Sequence, residues 1–483
     1  MELSHDICYR ALKARDARFD GRFFTGVTST GIYCRPICPA RTPKAENCVF
    51  FGRAAAAQSE GFRPCRRCRP EAAPGTPAWQ GTSSTIARAL RLIEDGALDD
   101  GALDELAARL GVGSRYLRRL FIEQLGVTPS AIAATRRVHF AKRLIESTAL
   151  PMSQVALAAG YRNVRRFNAA VRSTFDRTPS EIRKRARTPR DDGTIALRLP
   201  YRAPLDWAVL LEFLALRAIP GVEQVDGDTY RRTFALGAST GVLEVCPAPG
   251  GTDALVLRAP ADAAPHLAEI TRRVRRLFDL DADVDTIVRQ LGADPLLASA
   301  ARRLPGVRVP GCWDRFEVSM RAIVGQQITV VGATRLIGRI AVNFGKPLDE
   351  PRDGLTHLFP SADALAEATV DGMPRARAQA IRGFARAVAD GNPVLDAAPD
   401  LETALDRLRA LPGIGDWTAN YVAMRALAEP DAFPSGDLVL RKAASDPPPT
   451  AAALRRRSEA WRPWRAYAAM LLWRSMADGG PNP

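Results

Sequence analysis

The sequence predicts a multidomain chain, mainly α with α+β parts. It reads as a small Cys-rich module, a basic module of paired helices, an α+β subdomain and an all-α core. Three observations carry this. The chain has 483 residues, which at roughly 150 residues per domain makes about three domains. Six of its eight cysteines (Cys8, Cys34, Cys38, Cys48, Cys65 and Cys68) fall within residues 8–68, leaving only Cys246 and Cys312 beyond. The charge is also unevenly placed: residues 1–190 carry 33 Lys and Arg against 17 Asp and Glu, whereas 191–483 carry 35 against 36. With 46% apolar and 25% charged residues the composition is that of a soluble globular protein. The net charge of +15 therefore points to a polyanionic partner, nucleic acid first, gripped by the first two-fifths.

Other classes are excluded on the same grounds. A secreted disulfide scaffold would be short and Cys-dense throughout. The opening MELSHDICYR has acids and no apolar run, and predicts no signal peptide. The most apolar stretch, 207–219, is interrupted by Glu212 and Arg217, so no membrane span is predicted. The expectation is a reduced, cytoplasmic protein. Segments 70–82 (PEAAPGTPAWQGT) and 187–194 (RTPRDDGT) read as linkers. The boundaries that follow are 1–78, 82–187, 195–300 and 301–483.

In the first module, Cys34-x3-Cys38 and Cys65-x2-Cys68 form two close pairs about thirty residues apart. Four thiolates in this spacing suit tetrahedral Zn²⁺, which stabilises modules too small for a core of their own. Arg35, Arg41, Arg63, Arg66, Arg67 and Arg69 crowd the cluster. Cationic neighbours offset the formal −2 of such a site and attract DNA phosphates, while a zinc-bound thiolate stays nucleophilic at neutral pH. Cys8 and Cys48 lie outside the quartet and read as free thiols. The run TSTGIYCRPICPAR followed by GFRPCRRC closely resembles the Ada-type methyl-accepting zinc domain. The resemblance implies that Cys34 removes a methyl group from a DNA methylphosphotriester, with Cys38, Cys65 and Cys68 as the other ligands. It also implies that Arg41 and Arg63 contact the DNA backbone. Methylation turns a thiolate into a thioether, so the site goes from −2 to −1 and DNA affinity rises. The thioether does not regenerate.

The second module is an internal repeat. LGVTPSAI at 125–132 echoes FDRTPSEI at 175–182, fifty positions on. Each copy ends a helix, Gly, turn, helix unit, with Gly111 and Gly160 expected as left-handed helix ends and Ser114 and Asn163 as N-caps. Pro129 suits the first turn of a connecting helix running to Ser147. The second helices open on Arg115 and Arg118, and on Arg165 and Arg166, placed to meet phosphates or base edges. The repeat, with AAGYRNVRRFNAAVRSTFDRTP in its second half, resembles the AraC-type DNA-binding domain. That resemblance implies binding to promoter DNA, with RNA polymerase as a further partner. Asp176 departs from it, since the family usually has Gly there.

The remainder begins mixed and is expected to become largely helical from about residue 312. Leu411-Pro412-Gly413-Ile414-Gly415 reads as a tight hairpin between helices, whose Gly residues admit a phosphate to the backbone. Trp417 and Tyr421, four apart, share a helix face, and Trp473 lies in the last helical segment. Asp437 follows a Pro/Gly turn in FPSGDL. Together with RLPGVRVPGCWDRFEVSMRAIVGQQIT and WRPWRAYAAMLLW, these closely resemble AlkA-type 3-methyladenine DNA glycosylases of the helix-hairpin-helix superfamily, over most of 197–475. The resemblance implies that Asp437 is the catalytic carboxylate, that Trp417, Tyr421 and Trp473 line the base pocket, that Leu411, Gly413 and Gly415 touch DNA, and that Gln327 wedges into the base stack. It also implies base flipping and cation–aromatic recognition of alkylated purines. Trp417 stands where lyase-competent relatives carry Lys, so no Schiff-base step is expected. No cysteine follows Cys312, which excludes the iron–sulfur cluster of some relatives. The Pro-Cys-His-Arg motif of a second methyltransferase domain is absent, so repair of O6-methylguanine is not predicted. The competing reading is a transcription factor whose glycosylase-like part is catalytically silent.

Overall fold

The computed structural model describes residues 4–68, 70, 84–99, 101–186 and 193–479. Arg69 and most of both expected linkers lie outside the described residues. The chain divides into two compact units, residues 1–202 with 248–272, and 203–247 with 273–483.

The first unit opens with α1 (His5–Ala14) and the strands β1 (Phe24–Val27), β2 (Ile32–Cys34) and β3 (Cys48–Phe51), followed by α2 (Ala54–Ser59) and β4 (Arg63–Pro64). The sheet order is β3-β1-β2-β4, antiparallel except for the parallel β2–β4 pair. Its apolar content is small. Phe24, Tyr33 and Ala57 form one cluster, and Cys8, Ala11 and Phe23 another. Burial pushes the Cys8 thiol up to about 11, which favours its protonated form.

The paired-helix module comprises α3 (Ser84–Glu94), α4 (Leu103–Arg109), α5 (Ser114–Leu125), α6 (Pro129–Ser147), α7 (Met152–Ala158), α8 (Val164–Phe175) and α9 (Pro179–Arg185). Both repeats fold as expected. Gly111 and Gly160 take φ of +67° and +79° just past α4 and α7, a backbone that favours Gly. Thr128 caps α6 and Thr178 caps α9, each with Pro in the first turn. Asn163 caps α8 by accepting from Arg166 N at 2.8 Å. Ser114 does not cap α5: the helix already includes it, and Gly113 holds the N-cap position without a side-chain bond. The chain is extended at Gly113 and already helical at Ser114, so the Ser114 hydroxyl lies inside the helix rather than at its cap.

A polar network joins these two modules. The Gln58 side-chain amide donates to the Tyr33 hydroxyl at 3.0 Å, and that hydroxyl meets His139 Nε2 of α6 at 3.2 Å. Thr135 donates to Gln58 Oε1 at 2.8 Å. Tyr33 and His139 are both buried. His139→Phe removes a hydrogen-bonding ring nitrogen while leaving the buried polar partners in place, which costs about 1–3 kcal/mol. A lowered midpoint in denaturant with an unchanged slope is the expected result; an unchanged midpoint would show that the network adds nothing.

After the second linker, β5 (Thr194–Pro200) enters this unit and pairs antiparallel with β9 (Ala254–Pro260).

The second unit contains α10 (Trp207–Ala215) and the meander β6 (Glu223–Asp226), β7 (Thr229–Leu236) and β8 (Ser239–Pro247). Its two hairpins turn at Gly227 and Gly237, both at φ +57°, the geometry that two-residue loops require. The helices α11 (Leu267–Leu277), α12 (Val284–Leu291) and α13 (Pro295–Arg303) already precede residue 312. The helical part thus starts earlier than expected, because these short segments are set by their ends, as with the Asp294 cap and Pro295 of α13, rather than by a long apolar period. Then come α14 (Arg315–Val324), α15 (Val330–Phe344), the short pair β10 (Pro347–Arg352) and β11 (Leu355–His357), α16 (Ala362–Ala366), α17 (Arg375–Ala389), α18 (Leu401–Arg409), α19 (Asp416–Arg425), α20 (Leu438–Ala444), α21 (Ala451–Ser458) and α22 (Arg465–Gly479). The meander is tied to α14 by buried charges. Arg232, 2% exposed, pairs with Glu317 at 2.8 Å, and Arg321 pairs with Glu223 at 2.8 Å. Breaking such a pair from one side leaves a bare buried charge, so it fixes the orientation of α14. Among the described residues no helix is long and apolar enough to cross a membrane.

Candidate functional sites

The first site is assembled by strand register. Parallel pairing of Ile32 with Arg63 and Tyr33 with Pro64 brings the ends of β2 and β4 together, and Cys65 N donates to Tyr33 O at 2.9 Å. Each strand runs straight into a Cys pair. The four sulfurs of Cys34, Cys38, Cys65 and Cys68 lie within 4.8 Å of one another, with Cys38 and Cys65 Sγ 3.9 Å apart. Zinc at about 2.3 Å from each sulfur of a tetrahedron spaces them by about 3.8 Å, so the donor set fits Zn²⁺. The mutual hydrogen bonds with Cys38, Cys65 and Cys68, together with burial, push Cys34 well above the usual thiol range, while the hydrogen bond from Cys34 holds Cys38 at about 7. Such a group cannot ionise together unless a cation offsets its charge. Cys34 is half-buried whereas its three partners are buried. With Cys38 and Cys65 it lines a cavity of about 440 Å³ whose wall includes Arg41, Arg63, Arg66 and Arg67.

The arginines divide by role. Arg35 is ion-paired to Asp20, and its backbone N–H reaches Cys68 Sγ at 3.3 Å. It braces the cluster rather than facing solvent. Arg63 donates to Asp176 at 2.8 Å. Arg115, Arg118, Arg165 and Arg166 are exposed on α5 and α8, as residues that meet DNA must be.

The second site is built around α18, the turn 410–415 and α19. Buried Ile414 anchors the turn, while Pro412, Gly413 and Gly415 are exposed and Leu411 is half-buried. Gly413 has φ +83°, and a Cβ there would lie 2.6 Å from that of Ala380. Both backbone and packing therefore require Gly. Gly413→Val is expected to destabilise the unit by about 1–3 kcal/mol and to weaken binding to duplex DNA; wild-type unfolding and affinity would contradict this role. Gln326, which sequence reasoning passed over, donates to Gly413 O at 2.9 Å and Thr418 Oγ1 at 3.0 Å, tying its loop to the hairpin. Beside it Gln327 is exposed at φ +57°. The folded chain adds that Gln326 is a brace, beside the Gln327 that the resemblance names.

Behind the hairpin, Asp437 caps α20, its Oδ1 accepting from Leu440 N at 3.0 Å. The Trp417 indole N–H donates to Oδ2 at 2.9 Å and that of Trp473 to Oδ1 at 3.1 Å. Residues 20 and 36 positions away thus converge on one carboxylate. Trp417 and Tyr421 stack at 5.2 Å and 14°, and Trp473 lies 6.4 Å from Tyr421. Arg425, also missed from sequence, donates to the Tyr421 hydroxyl at 2.8 Å and to Gly311 O at 3.0 Å. Burial pushes the Tyr421 phenol up, but Arg425, Arg217 and Arg321 outweigh it and hold the phenol below its ordinary range. All four residues expected at this site are brought together.

Fold and sites define a class of DNA-acting protein: a four-thiolate module and a duplicated helix-turn-helix unit joined to a helix-hairpin-helix core with an acid under two indoles. Known proteins divide the chain in the same way. Residues 7–71 match the metal binding domain of Ada, 106–185 a helix-turn-helix domain and 196–314 the AlkA N-terminal domain. The chain is 44% identical to a probable bifunctional transcriptional activator/DNA repair enzyme AlkA of Mycobacterium tuberculosis, across 97% of this chain and 96% of that protein. It is 36% identical to DNA-3-methyladenine glycosylase 2 of Escherichia coli, across 57% of this chain and 95% of that one. It is also 36% identical to the E. coli bifunctional transcriptional activator/DNA repair enzyme Ada, across 38% of this chain and 49% of that one. The structure of a 3-methyladenine DNA-glycosylase from Archaeoglobus fulgidus shares the fold over 57% of this chain and 96% of that one, with a TM-score of 0.50 at 22% identity. The chain belongs to the family of bifunctional transcriptional activator/DNA repair enzymes of the AlkA type.

Proposed function

We propose that the chain repairs alkylated DNA and regulates the response to alkylation. Its C-terminal core hydrolyses the N-glycosidic bond of alkylated bases such as 3-methyladenine. The observation that carries this is the carboxylate of Asp437, held at both oxygens by the indoles of Trp417 and Trp473 beside the hairpin. A cationic base leaves readily, so the enzyme's task is to flip it out, hold it against the aromatic faces and stabilise the oxocarbenium-like sugar with a fixed negative charge. Trp417 in place of a lysine supports a monofunctional enzyme with no lyase step. Leu411, Gly413 and Gly415 meet the DNA backbone, and Gln327 fills the gap left by the flipped nucleotide.

In the first module Cys34 is the methyl acceptor. A zinc ion held by Cys34, Cys38, Cys65 and Cys68 supplies the charge that keeps the thiols deprotonated at neutral pH. Sulfur of Cys34 attacks the methyl carbon of a methylphosphotriester, the carbon–oxygen bond breaks, and the phosphate leaves as an ordinary diester. Arg41 and Arg63 receive that backbone, a reading supported by their lining the cavity beside Cys34 together with Arg66 and Arg67. The helix-turn-helix pair reads promoter DNA through α5 and α8, and activation from that promoter brings in RNA polymerase. Domain limits of 1–78, 82–187, 195–300 and 301–483 fit this division of labour, and the cytoplasm, where DNA and reduced thiols coexist, is its compartment.

The test is release of 3-methyladenine from methylated duplex DNA by the full chain, with strand cleavage scored in parallel. Free base with intact strands is expected. No free base would favour the second reading, a transcription factor with a silent glycosylase-like part, and strand nicking would overturn the monofunctional assignment.

A further inference from the structure

We propose that Asp176 is a resident competitor for the DNA phosphate at the arginine-lined mouth beside Cys34, and so a determinant of how strongly unmethylated protein grips DNA. The inference rests on the reading that this module engages the DNA backbone next to Cys34.

Asp176 ends α8 with φ +55°. At the matching place in the first repeat Gly126 ends α5 with φ +68°. Glycine suits a left-handed helix end better than aspartate does, so the backbone gives no reason for an acid in the second repeat. Its side chain does. Asp176 Oδ2 accepts from Arg63 Nη1 at 2.8 Å and lies 3.9 Å from Arg66 Nη2. Arg66 also donates to Phe175 O at 3.3 Å, so both arginines sit on the electronegative end of α8. Cys34, Arg41, Arg63, Arg66, Arg67 and Asp176 all line the same cavity. A carboxylate and a phosphodiester offer the same charge and the same acceptor geometry to a guanidinium. While Asp176 holds Arg63, a phosphate must displace it. The pair is exposed, with side chains 50% and 66% accessible, so it is weak enough to open on DNA. The second helix-turn-helix unit thereby restrains the DNA contact of the zinc module until something strengthens that contact, as loss of one negative charge at the cluster does.

The test uses the full zinc-loaded chain with Asp176→Asn, which keeps the shape and tolerates the left-handed backbone, and Asp176→Gly, which relaxes it. Affinity for unmethylated duplex DNA is measured by fluorescence anisotropy across a salt series. Both variants are expected to bind about three- to tenfold more tightly at low salt, with a salt slope steeper by about one phosphate contact. The gain should vanish when Asp176→Asn is combined with Arg63→Ala. Unchanged affinity and slope in both variants would overturn the proposal. So would a gain that survives Arg63→Ala, because it would then reflect general charge beside the helix-turn-helix. Mass spectrometry after exposure to methylated DNA separates the underlying reading. Failure of the wild type to gain a methyl group removes the role of Cys34, while the affinity series still decides the role of Asp176.

Discussion

Asp437→Asn should reduce single-turnover release of 3-methyladenine by at least about a hundredfold, the scale on which preorganised charge contributes to such steps, with affinity for alkylated duplex little changed. The geometry makes this substitution more damaging than loss of charge alone. Each carboxylate oxygen accepts from an indole N–H, Trp417 at 2.9 Å and Trp473 at 3.1 Å, and Oδ1 also accepts from Leu440 N. Asparagine has one acceptor and one donor group. Whichever way it is turned, its amide nitrogen faces an indole N–H, and one tryptophan loses its partner. The wall of the base pocket therefore loosens as the charge disappears. Trp417→Phe and Trp473→Phe, which keep the aromatic face and delete a single donor, should fall between wild type and Asp437→Asn. If Asp437→Asn retained a rate within tenfold of wild type, the carboxylate would not be the group that stabilises the sugar cation.

Cys34→Ser is expected to abolish methyl transfer outright, since a hydroxyl at neutral pH is not the nucleophile that a metal-bound thiolate is. Metal content should be weakened rather than lost, because Cys38, Cys65 and Cys68 remain close. The assignment to Cys34 rests on the Ada-type resemblance and on its being half-buried where the other three are buried; Cys38 and Cys65 line the same cavity with Arg41, Arg63, Arg66 and Arg67. Peptide mapping of the methylated wild type gives the decisive readout, and a methyl group on Cys38, Cys65 or Cys68 would refute the assignment. Methylation should also tighten DNA binding. Removing one negative charge from the cluster weakens its repulsion of nearby phosphates, and the gain should shrink as salt rises.

Much of this protein is legible without its fold, and the legible parts share a property. The Cys34/Cys38 and Cys65/Cys68 pairs, the duplicated Thr-Pro-Ser at 128–130 and 178–180, and Leu411-Pro412-Gly413-Ile414-Gly415 are each read within a few residues. A metal clip, a capped helix start and a left-handed turn all place their demands on neighbouring positions, so they leave a local signature. Two boundaries were misread. Ser114 was expected to cap a helix that Gly113 begins, and the helical part was expected from about 312 although α11 starts at Leu267. The first is the one-residue shift common at helix ends; the second spans about 45 positions, because α11, α12 and α13 are short segments fixed by their ends.

By itself the sequence determined the order of modules, the metal donors and the helix-turn-helix repeat, and through resemblance it named Trp417, Tyr421, Trp473 and Asp437 as residues that converge. Net charge misdirected in the second half, where −1 over residues 191–483 argued against a DNA partner. The contact proposed there is the exposed hairpin backbone rather than a bulk field. Only tertiary structure decided that β2 and β4 run parallel and so close the thiolate quartet, that two distant indoles clamp opposite oxygens of Asp437, that Gln326 braces the hairpin, and that Arg63 lies on Asp176. These are contacts between residues separated by 20 to 113 positions. Strand register, helix packing and buried hydrogen bonds set them, and no short stretch of chain encodes those constraints on its own.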